Sequence, residues 1–194
     1  MTTAAAPEAM RRRDRWIQTH FGPKAKKPPF SFAYGGQSSP GILAEWDCRR
    51  VTRRLDKFRT EVALTCTDPK TRLQVRCDMV RSTDSPAVEW VLHFRNAGEA
   101  DTPILSDIQA MDTVFERPDP VEWLLHHFKG DSCTKDSFEP IETVLTPGTE
   151  LRFSPSGGLP SSGRWPYNNL AWGGRRDHDC GRLAGTVGQL LHAR

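Results

Sequence analysis

The residues from Ser85 to Gly98 constrain the fold of this chain more than any other stretch. Every second position from 88 to 94 is apolar, and these positions hold Val88, Trp90, Leu92 and Phe94. Because the side chains of an extended strand point alternately to its two faces, the pattern predicts a strand with one buried face. Residues 96–98 tolerate positive φ, and a second short apolar segment follows at hairpin distance within residues 101–111. The stretch is therefore typical of an antiparallel β-sandwich.

A second alternating stretch predicts the clearest hairpin of the chain. Apolar residues occupy positions 62, 64 and 66 of its first arm and positions 73, 75, 77 and 79 of its return arm. The intervening Asp68-Pro-Lys-Thr71 has the composition of a turn. Cys66 and Cys77 lie in the apolar register of the two arms, so we expect both to be small buried hydrophobic residues. A bond between them across the strands is the less favoured alternative.

Further strands are predicted on either side of these two stretches. Phe30, Phe32 and Tyr34 alternate before a Gly-Gly break, which indicates an aromatic-faced strand running into a turn. Residues 141–153 are typical of a strand, a turn and another strand, and residues 165–172 of a final strand.

Chain length and composition favour an all-β fold. The 194 residues suffice for a sandwich, but not for a sandwich together with an eight-stranded α/β barrel of about 250 residues. Fifteen glycines and fifteen prolines indicate many turns. We expect a disordered basic leader over residues 1–15, a β-sandwich domain over 16–172, and a tail of different character over 173–194.

Basic residues concentrate near the N-terminus without predicting a nucleic-acid partner. The cluster consists of Arg11, Arg12, Arg13, Arg15, Lys24, Lys26 and Lys27. Such runs attract phosphate through counterion release, yet no recognition motif accompanies this one. We therefore interpret it as a solvated leader.

The lack of a recognisable targeting signal and the cysteine content favour a cytoplasmic protein. No run of 18 apolar residues exists, and the N-terminus lacks the apolar core of a secretory signal, so we expect no membrane partner. The five cysteines are odd in number and lack a CxxC spacing, which argues against a zinc site or a complete disulfide framework. A reducing compartment is the resulting expectation.

Neither catalytic nor metal-binding residues are predicted. Adjacent His126 and His127 would face opposite sides of a strand, so they could not easily share one ion. Acidic residues such as Asp107, Asp112 and Glu89 would serve glycoside hydrolysis only if two of them faced one sugar pocket, which sequence spacing does not establish.

Aromatic side chains are the candidate ligand contacts. Exposed Trp and Tyr rings can stack on sugar rings, and the candidate carbohydrate contacts are Tyr34, Trp46, Trp165 and Trp172. With six Trp in a sandwich, core packing is the stronger expectation for most of them.

Several segments carry a family resemblance. They are Pro29-Phe-Ser-Phe-Ala-Tyr-Gly-Gly-Gln-Ser-Ser39, Trp46, residues 67–76, residues 86–94 and residues 101–112. In this order they resemble the N-terminal region of α-galactosidases (melibiases) related to glycoside hydrolase family 36. The resemblance covers about residues 16–172 and is more specific than one short motif.

The resemblance implies a β-supersandwich in front of a (β/α)8 barrel. In that family one Asp acts as nucleophile and another as acid/base, and terminal α-galactosides are hydrolysed with retention. Both residues belong to the barrel, so neither can be carried onto this chain, and no cofactor is implied. The α-galactoside would bind through that barrel. A homo-oligomer of the intact parent enzyme is compatible with the resemblance.

The resemblance ends at Trp172, where residues 173–194 lose strand alternation. An allowed back-translation of residues 177–193, read one nucleotide later, gives Thr-Met-Ile-Val-Ala-Gly-Trp-Pro-Gly-Gln-Trp-Ala-Ser-Phe-Phe-Thr. This string alternates like a strand and contains a Gly-Trp-Pro-Gly-Gln-Trp segment of the kind expected at this point in those enzymes. We therefore expect a frameshift to have truncated the parent and left the sandwich incomplete at its C-terminal end. The Asp-His-Asp-Cys cluster at residues 177–180 would then result from the shifted reading frame, so we do not interpret it as a metal site.

The resulting hypothesis is the non-catalytic front module of an α-galactosidase-like glycoside hydrolase. Two alternatives stay open, a stand-alone carbohydrate-binding sandwich and a structural interaction domain. Fold analogy alone does not choose among these roles.

Overall fold

The computed structural model describes residues 7–22, 25, 28–113, 123–146, 148–153, 161–165, 167–172, 180–184 and 189–192. Its secondary structure is mostly antiparallel β-sheet, which confirms the all-β, sandwich-like prediction. The chain divides into two compact units, residues 1–112 (unit 1) and 113–194 (unit 2). This boundary falls inside the stretch for which the sequence predicted a single sandwich domain. Within the described residues, no helix combines the length and apolar character needed to cross a membrane.

Unit 1 holds one long helix, two short helical turns and seven strands among its described residues. In chain order these are α1 (Pro7–Phe21), β1 (Ser31–Tyr34), β2 (Gln37–Ser38), α2 (Ser39–Ile42), a 3-10 turn (Leu43–Glu45), β3 (Asp47–Arg54), β4 (Arg59–Thr67), β5 (Leu73–Ser82), β6 (Val88–Asn96) and β7 (Leu105–Gln109). The strands form a four-stranded sheet in the order β3-β4-β5-β6 and a three-stranded sheet in the order β2-β1-β7.

The four-stranded sheet confirms the alternation seen in the sequence. Leu64 lies opposite Cys77, which in turn lies opposite Leu92, so apolar residues of three strands share one face. On β5 the inward residues are almost completely buried: Leu73, Val75, Cys77 and Met79. On β6 every second side chain, from Val88 to Phe94, packs against the same core, while the residues between them are exposed.

Aromatic residues of β1 cover this apolar face. Phe32 meets Phe94 edge to face, with ring centroids 5.5 Å apart, and lies 6.3 Å from Trp46. Phe30, Phe32 and Tyr34 are all buried, as the alternation predicted. Such aromatic pairs contribute about 0.5–1.5 kcal/mol beyond the burial of their area. The two sheets therefore pack as two layers around an aromatic core.

Strand β7 differs from its predicted role. It pairs antiparallel with β1, and not with β6, so the expected hairpin after residue 96 is wrong. The connection instead carries the chain from one sheet to the other. Gly98 lies close against the β4–β5 turn on this path, because a Cβ there would stand 2.6 Å from the carbonyl oxygen of Thr71.

Helix α1 occupies much of the stretch for which a disordered leader was expected. Its Ile17 and Phe21 are buried in the core, and Trp16 lies 5.5 Å from Trp90. Arg13 is only 9% exposed, and its guanidinium donates hydrogen bonds to the carbonyl oxygens of Ser82 and Ser85. The basic run is thus partly structural, since one of its arginines holds the helix against the β5–β6 turn. Residues 1–6 lie outside the described residues.

A disulfide joins Cys48 of β3 to Cys66 of β4, which lie directly opposite each other in the ladder. Cys66 is buried as predicted, but its partner is Cys48 and not Cys77. Cys77 is free and fully buried, and burial raises the pKa of its thiol to about 12, with the charge of Asp78 adding to the shift. Because it stays protonated at neutral pH, Cys77 is a poor nucleophile toward the neighbouring disulfide.

Unit 2 contains the remaining described strands. They are β8 (Trp123–Phe128), β9 (Pro140–Leu145), β10 (Glu150–Phe153), β11 (Tyr167–Trp172), β12 (Cys180–Ala184) and β13 (Gln189–His192). Four of them form an antiparallel sheet in the order β12-β11-β8-β9, and β10 pairs with β13. The predicted strands at residues 141–153 are present, although β9 and β10 belong to different sheets. Among the described residues of this unit, the buried apolar side chains are Leu125, Leu145 and Leu170.

Replacing Arg13 by Met is expected to destabilise the chain by about 2–4 kcal/mol, because two carbonyl groups would lose a charged donor in a poorly solvated place. Urea unfolding of the full chain measures the change. The matched control is Arg11→Met, since the Arg11 side chain is 66% exposed and bonds to Glu8 in an exposed pair. Equal unfolding midpoints for the two variants would show that Arg13 does not hold the helix in place.

Opening the disulfide is expected to destabilise unit 1 by about 3 kcal/mol, because Cys48 and Cys66 are 18 residues apart and close a loop of moderate length. A reductant should bring the wild-type unfolding midpoint to that of Cys48→Ser. The control Cys133→Ser removes an exposed free thiol and should keep the response to reductant. A wild-type midpoint that is insensitive to reductant would contradict the pairing.

Candidate functional site

The four aromatic residues predicted from sequence are divided between the two units. Tyr34 and Trp46 are 8% and 9% exposed and meet edge to face in the core of unit 1, with centroids 5.8 Å apart. The Tyr34 hydroxyl hydrogen-bonds Thr71 at 2.6 Å. Neither ring presents a free face for a sugar. Trp165 belongs to unit 2, and Trp172 ends β11 opposite Trp123, but the Trp172 side chain lies outside the described atoms.

Trp165 is the middle member of a cluster of three rings, which we name the aromatic row. Its ring centroid lies 5.0 Å from that of Phe138 at nearly a right angle, and 5.7 Å from that of Tyr167 with a tilt of 41°. Phe138 is 45% exposed, Tyr167 is 55% exposed, and Trp165 is half-buried. The row therefore combines a partly buried central ring with two rings open to solvent.

Sequence reasoning missed two of the three rings for different reasons. Tyr167 lies two positions after Trp165, so a common face of an extended segment could have been read from the spacing. Phe138 belongs to a loop without periodicity. It reaches Trp165 because residues 129–131 make isolated β-bridges with residues 162–164. This pairing is long-range, so no local sequence pattern predicts it.

The loop that carries Phe138 is held by its own hydrogen bonds. Asp131 Oδ1 accepts from the Cys133 amide at 2.9 Å and from the Ser137 hydroxyl at 3.1 Å. Ser137 Oγ in turn accepts from the amides of Ser132 and Thr134 at 3.2 and 3.1 Å. These contacts join residues 131–137 into one hydrogen-bonded loop.

Close backbone packing anchors the same loop to the neighbouring segment. The Asp131 amide donates to Ser161 O at 2.8 Å, and the Trp165 amide to Phe128 O at 3.4 Å. Gly130 is required here, because a Cβ would stand 2.2 Å from Ser161 O. Phe138 itself has φ of 62°, a conformation that costs a bulky residue energy and persists where surrounding contacts determine it.

Charged groups on the loop are mostly carboxylates. Lys129 Nζ contacts Asp136 Oδ2 at 3.1 Å and Glu139 Oε2 at 2.5 Å. The hydrogen bond from Thr134, followed by that from Lys129, lowers the pKa of Asp136 to about 2. The Glu139 and Asp136 carboxylates raise the pKa of Lys129. The Lys129 ammonium is thus paired with two carboxylates. With Asp131 and Lys135, residues 129–139 carry three carboxylates and two ammonium groups in all.

The adjacent histidines of β8 have separate surroundings. His126 Nδ1 lies 3.1 Å from Glu142 Oε1, whereas His127 is buried and its Nε2 lies 3.0 Å from Thr143 Oγ1. Burial, and after it the charge of Arg164, lowers the pKa of His127, so this ring stays neutral at physiological pH. Within the described ranges, no group of three His, Cys, Asp or Glu side chains is arranged to hold a metal ion. Residues 177–179 lie outside those ranges.

The acidic residues considered for hydrolysis occupy different elements. Glu89 is an exposed residue of β6 in the four-stranded sheet, and Asp107 belongs to β7 in the other sheet. Glu89 therefore does not face β7 across a hairpin. Asp112 lies at the end of unit 1, where its amide donates to Pro29 O at 2.7 Å.

A depression in unit 1 is a concave feature of the described surface. It has a volume of about 510 Å³ and is lined by residues 70–72 and 97–101. Its lining includes Lys70 and Arg72 beside Glu99 and Asp101, so the charges are mixed and no aromatic ring contributes. The aromatic row is therefore the better candidate for ligand binding.

Comparison with known proteins yields no match to any family model, curated protein or solved structure.

Proposed function

We propose that the chain is the N-terminal, non-catalytic module of a glycoside hydrolase similar to the family 36 α-galactosidases. The observation that carries the proposal is where the resembling segments lie. Residues 29–39 contain β1 and β2, residues 67–76 contain the β4–β5 turn, residues 86–94 contain most of β6, and residues 101–112 contain β7. Trp46, the remaining segment, is in the core. These segments build the layers of unit 1, as expected of a supporting module.

The surroundings of two carboxylates on the four-stranded sheet support a role without hydrolysis. Retaining glycosidases need two carboxyl groups about 5 Å apart on either side of a sugar. Glu61 instead accepts two hydrogen bonds from Arg53 at 2.6 and 3.1 Å, and Asp78 accepts one from Arg76 at 2.7 Å. Such bonds hold the acids as members of ion pairs on the sheet, which suits a scaffold better than an acid/base pair.

The next reading frame adds support of a different kind. The string that an allowed back-translation of residues 177–193 gives in that frame contains Gly-Trp-Pro-Gly-Gln-Trp, which continues the family pattern just where the present frame departs from it. In this proposal the catalytic aspartates and the α-galactoside site belong to the barrel encoded in that frame. In the present frame, the described residues of the tail form β12 and β13, which pair with β11 and β10.

We also propose a cytoplasmic location, and the disulfide provides a physical check on it. Glutathione and thioredoxin keep cytosolic thiols reduced, so a stable bond between Cys48 and Cys66 would favour an oxidising compartment. In the cytoplasm the two residues would form a neighbouring pair of thiols across β3 and β4. The redox state of this pair in the native cell tests the location separately from the enzymatic role.

The functional proposal predicts that activity appears only when the downstream frame is joined. The 194-residue chain should release no detectable product from a chromogenic α-galactoside. A polypeptide in which residues 177–194 are replaced by the next-frame sequence and its continuation should hydrolyse it. A polypeptide of matched length, extended in the original frame, is the control.

Two results would contradict this prediction. One is a stop codon soon after the frame change, because no barrel could then be encoded there. The other is galactose release by the 194-residue chain that is lost when one of its own carboxylates is changed to an amide.

A further inference from the structure

We propose that the aromatic row of unit 2, formed by Phe138, Trp165 and Tyr167, is a binding surface for the apolar faces of a neutral sugar. Such a surface would give unit 2 a carbohydrate contact of its own.

The exposure of the rings is the first argument. Phe138 and Tyr167 are 45% and 55% exposed although each contacts Trp165. Large aromatic side chains normally gain stability by burial, so contiguous exposed rings indicate an interaction surface. A pyranose ring presents C–H groups on its face and hydroxyl groups around its edge. The row matches that combination, since ring faces can cover the C–H groups while the sugar edge remains hydrated.

The rigidity of the support is the second argument. Asp131 and Ser137 hold the loop through side-chain hydrogen bonds, and Gly130 allows it to approach residues 161–164 closely. Phe138 is therefore positioned beside Trp165 before any ligand arrives. Because an ordered surface loses little entropy on binding, even a small ligand with few contacts can be retained.

The balance of charge around the row indicates the class of ligand. Residues 129–139 and 161–167 carry three carboxylates (Asp131, Asp136 and Glu139) and three cations (Lys129, Lys135 and Arg164), and Lys129 is paired with Asp136 and Glu139. Because sugar hydroxyl groups both donate and accept hydrogen bonds, a neutral sugar can use both kinds of charged group. Charges that cancel give no long-range attraction to phosphate, which disfavours nucleic acids and sugar phosphates. A proline-rich peptide would fit the rings but supplies few donors for the carboxylates.

Binding of disaccharides to the full 194-residue chain tests the proposal. The probes are melibiose and cellobiose, and their binding is measured by calorimetry or by NMR shifts of the Trp indole protons. Saturable binding of at least one of them is expected. Tyr167→Ala and Trp165→Ala should each weaken it about tenfold, equivalent to about 1.4 kcal/mol. Tyr167→Phe should bind within about twofold of wild type, since the ring is kept.

A matched control comes from unit 1. Phe58 is also 45% exposed, and Phe58→Ala should leave the sugar affinity unchanged. Urea unfolding of every variant is measured alongside. Because the Tyr167 side chain is 55% exposed, Tyr167→Ala keeps the test decisive if Trp165→Ala does not fold.

Four outcomes would overturn the inference. They are no saturation by either sugar, an equal loss of affinity in Phe58→Ala, unchanged affinity in both alanine variants of the row, and preferential binding of galactose 1-phosphate, a single-stranded oligonucleotide or a proline-rich peptide. These results would leave the proposed enzyme module standing, because that proposal is tested by hydrolysis in the extended polypeptide.

Discussion

The buried face of β5 is the constraint on which the rest of unit 1 depends. Its Leu73, Val75, Cys77 and Met79 are each no more than 2% exposed, so this face must be covered by other elements for the chain to fold. Strands β4 and β6 flank it within the sheet, while β1 and helix α1 cover it from above. Truncating one large side chain of such a core typically costs about 2–5 kcal/mol, which is a large part of the stability of a domain. The aromatic strand, the helix and the arginine that holds the helix all follow from this requirement.

Local patterns predicted the elements of this core but not their connections. Alternation located β4, β5 and β6 because each strand has one face in the core and the other toward solvent. It could not show that β7 pairs with β1, since the pairing partner of a short strand is decided by packing between layers. The N-terminal part of the helix was missed because polar residues dominate the composition of residues 7–15. Only the tertiary contacts of Ile17, Phe21 and Arg13 show why that segment is ordered.

The candidate site shows the same division between local and long-range information. Trp165 was identified from residue type, and Tyr167 could have been added from its spacing. Phe138 reaches the row only through a loop whose bridges to residues 162–164 span a long sequence separation. Burial also separated the candidates, because Tyr34 and Trp46 have the same residue chemistry as the row yet serve the core. Ligand surfaces and cores use the same aromatic residues, and exposure in the folded chain distinguishes them.

Amide hydrogen exchange of the intact chain tests the central claim most directly. Strand β5 is paired on both sides and its alternate side chains are buried, so residues 73–81 should exchange through the highest free energy of opening in unit 1. The edge strand β3 and residues 97–101 should exchange much faster. Equal and rapid exchange in β5 and in residues 97–101 would contradict the account, because the face that organises unit 1 would then not be a stable core.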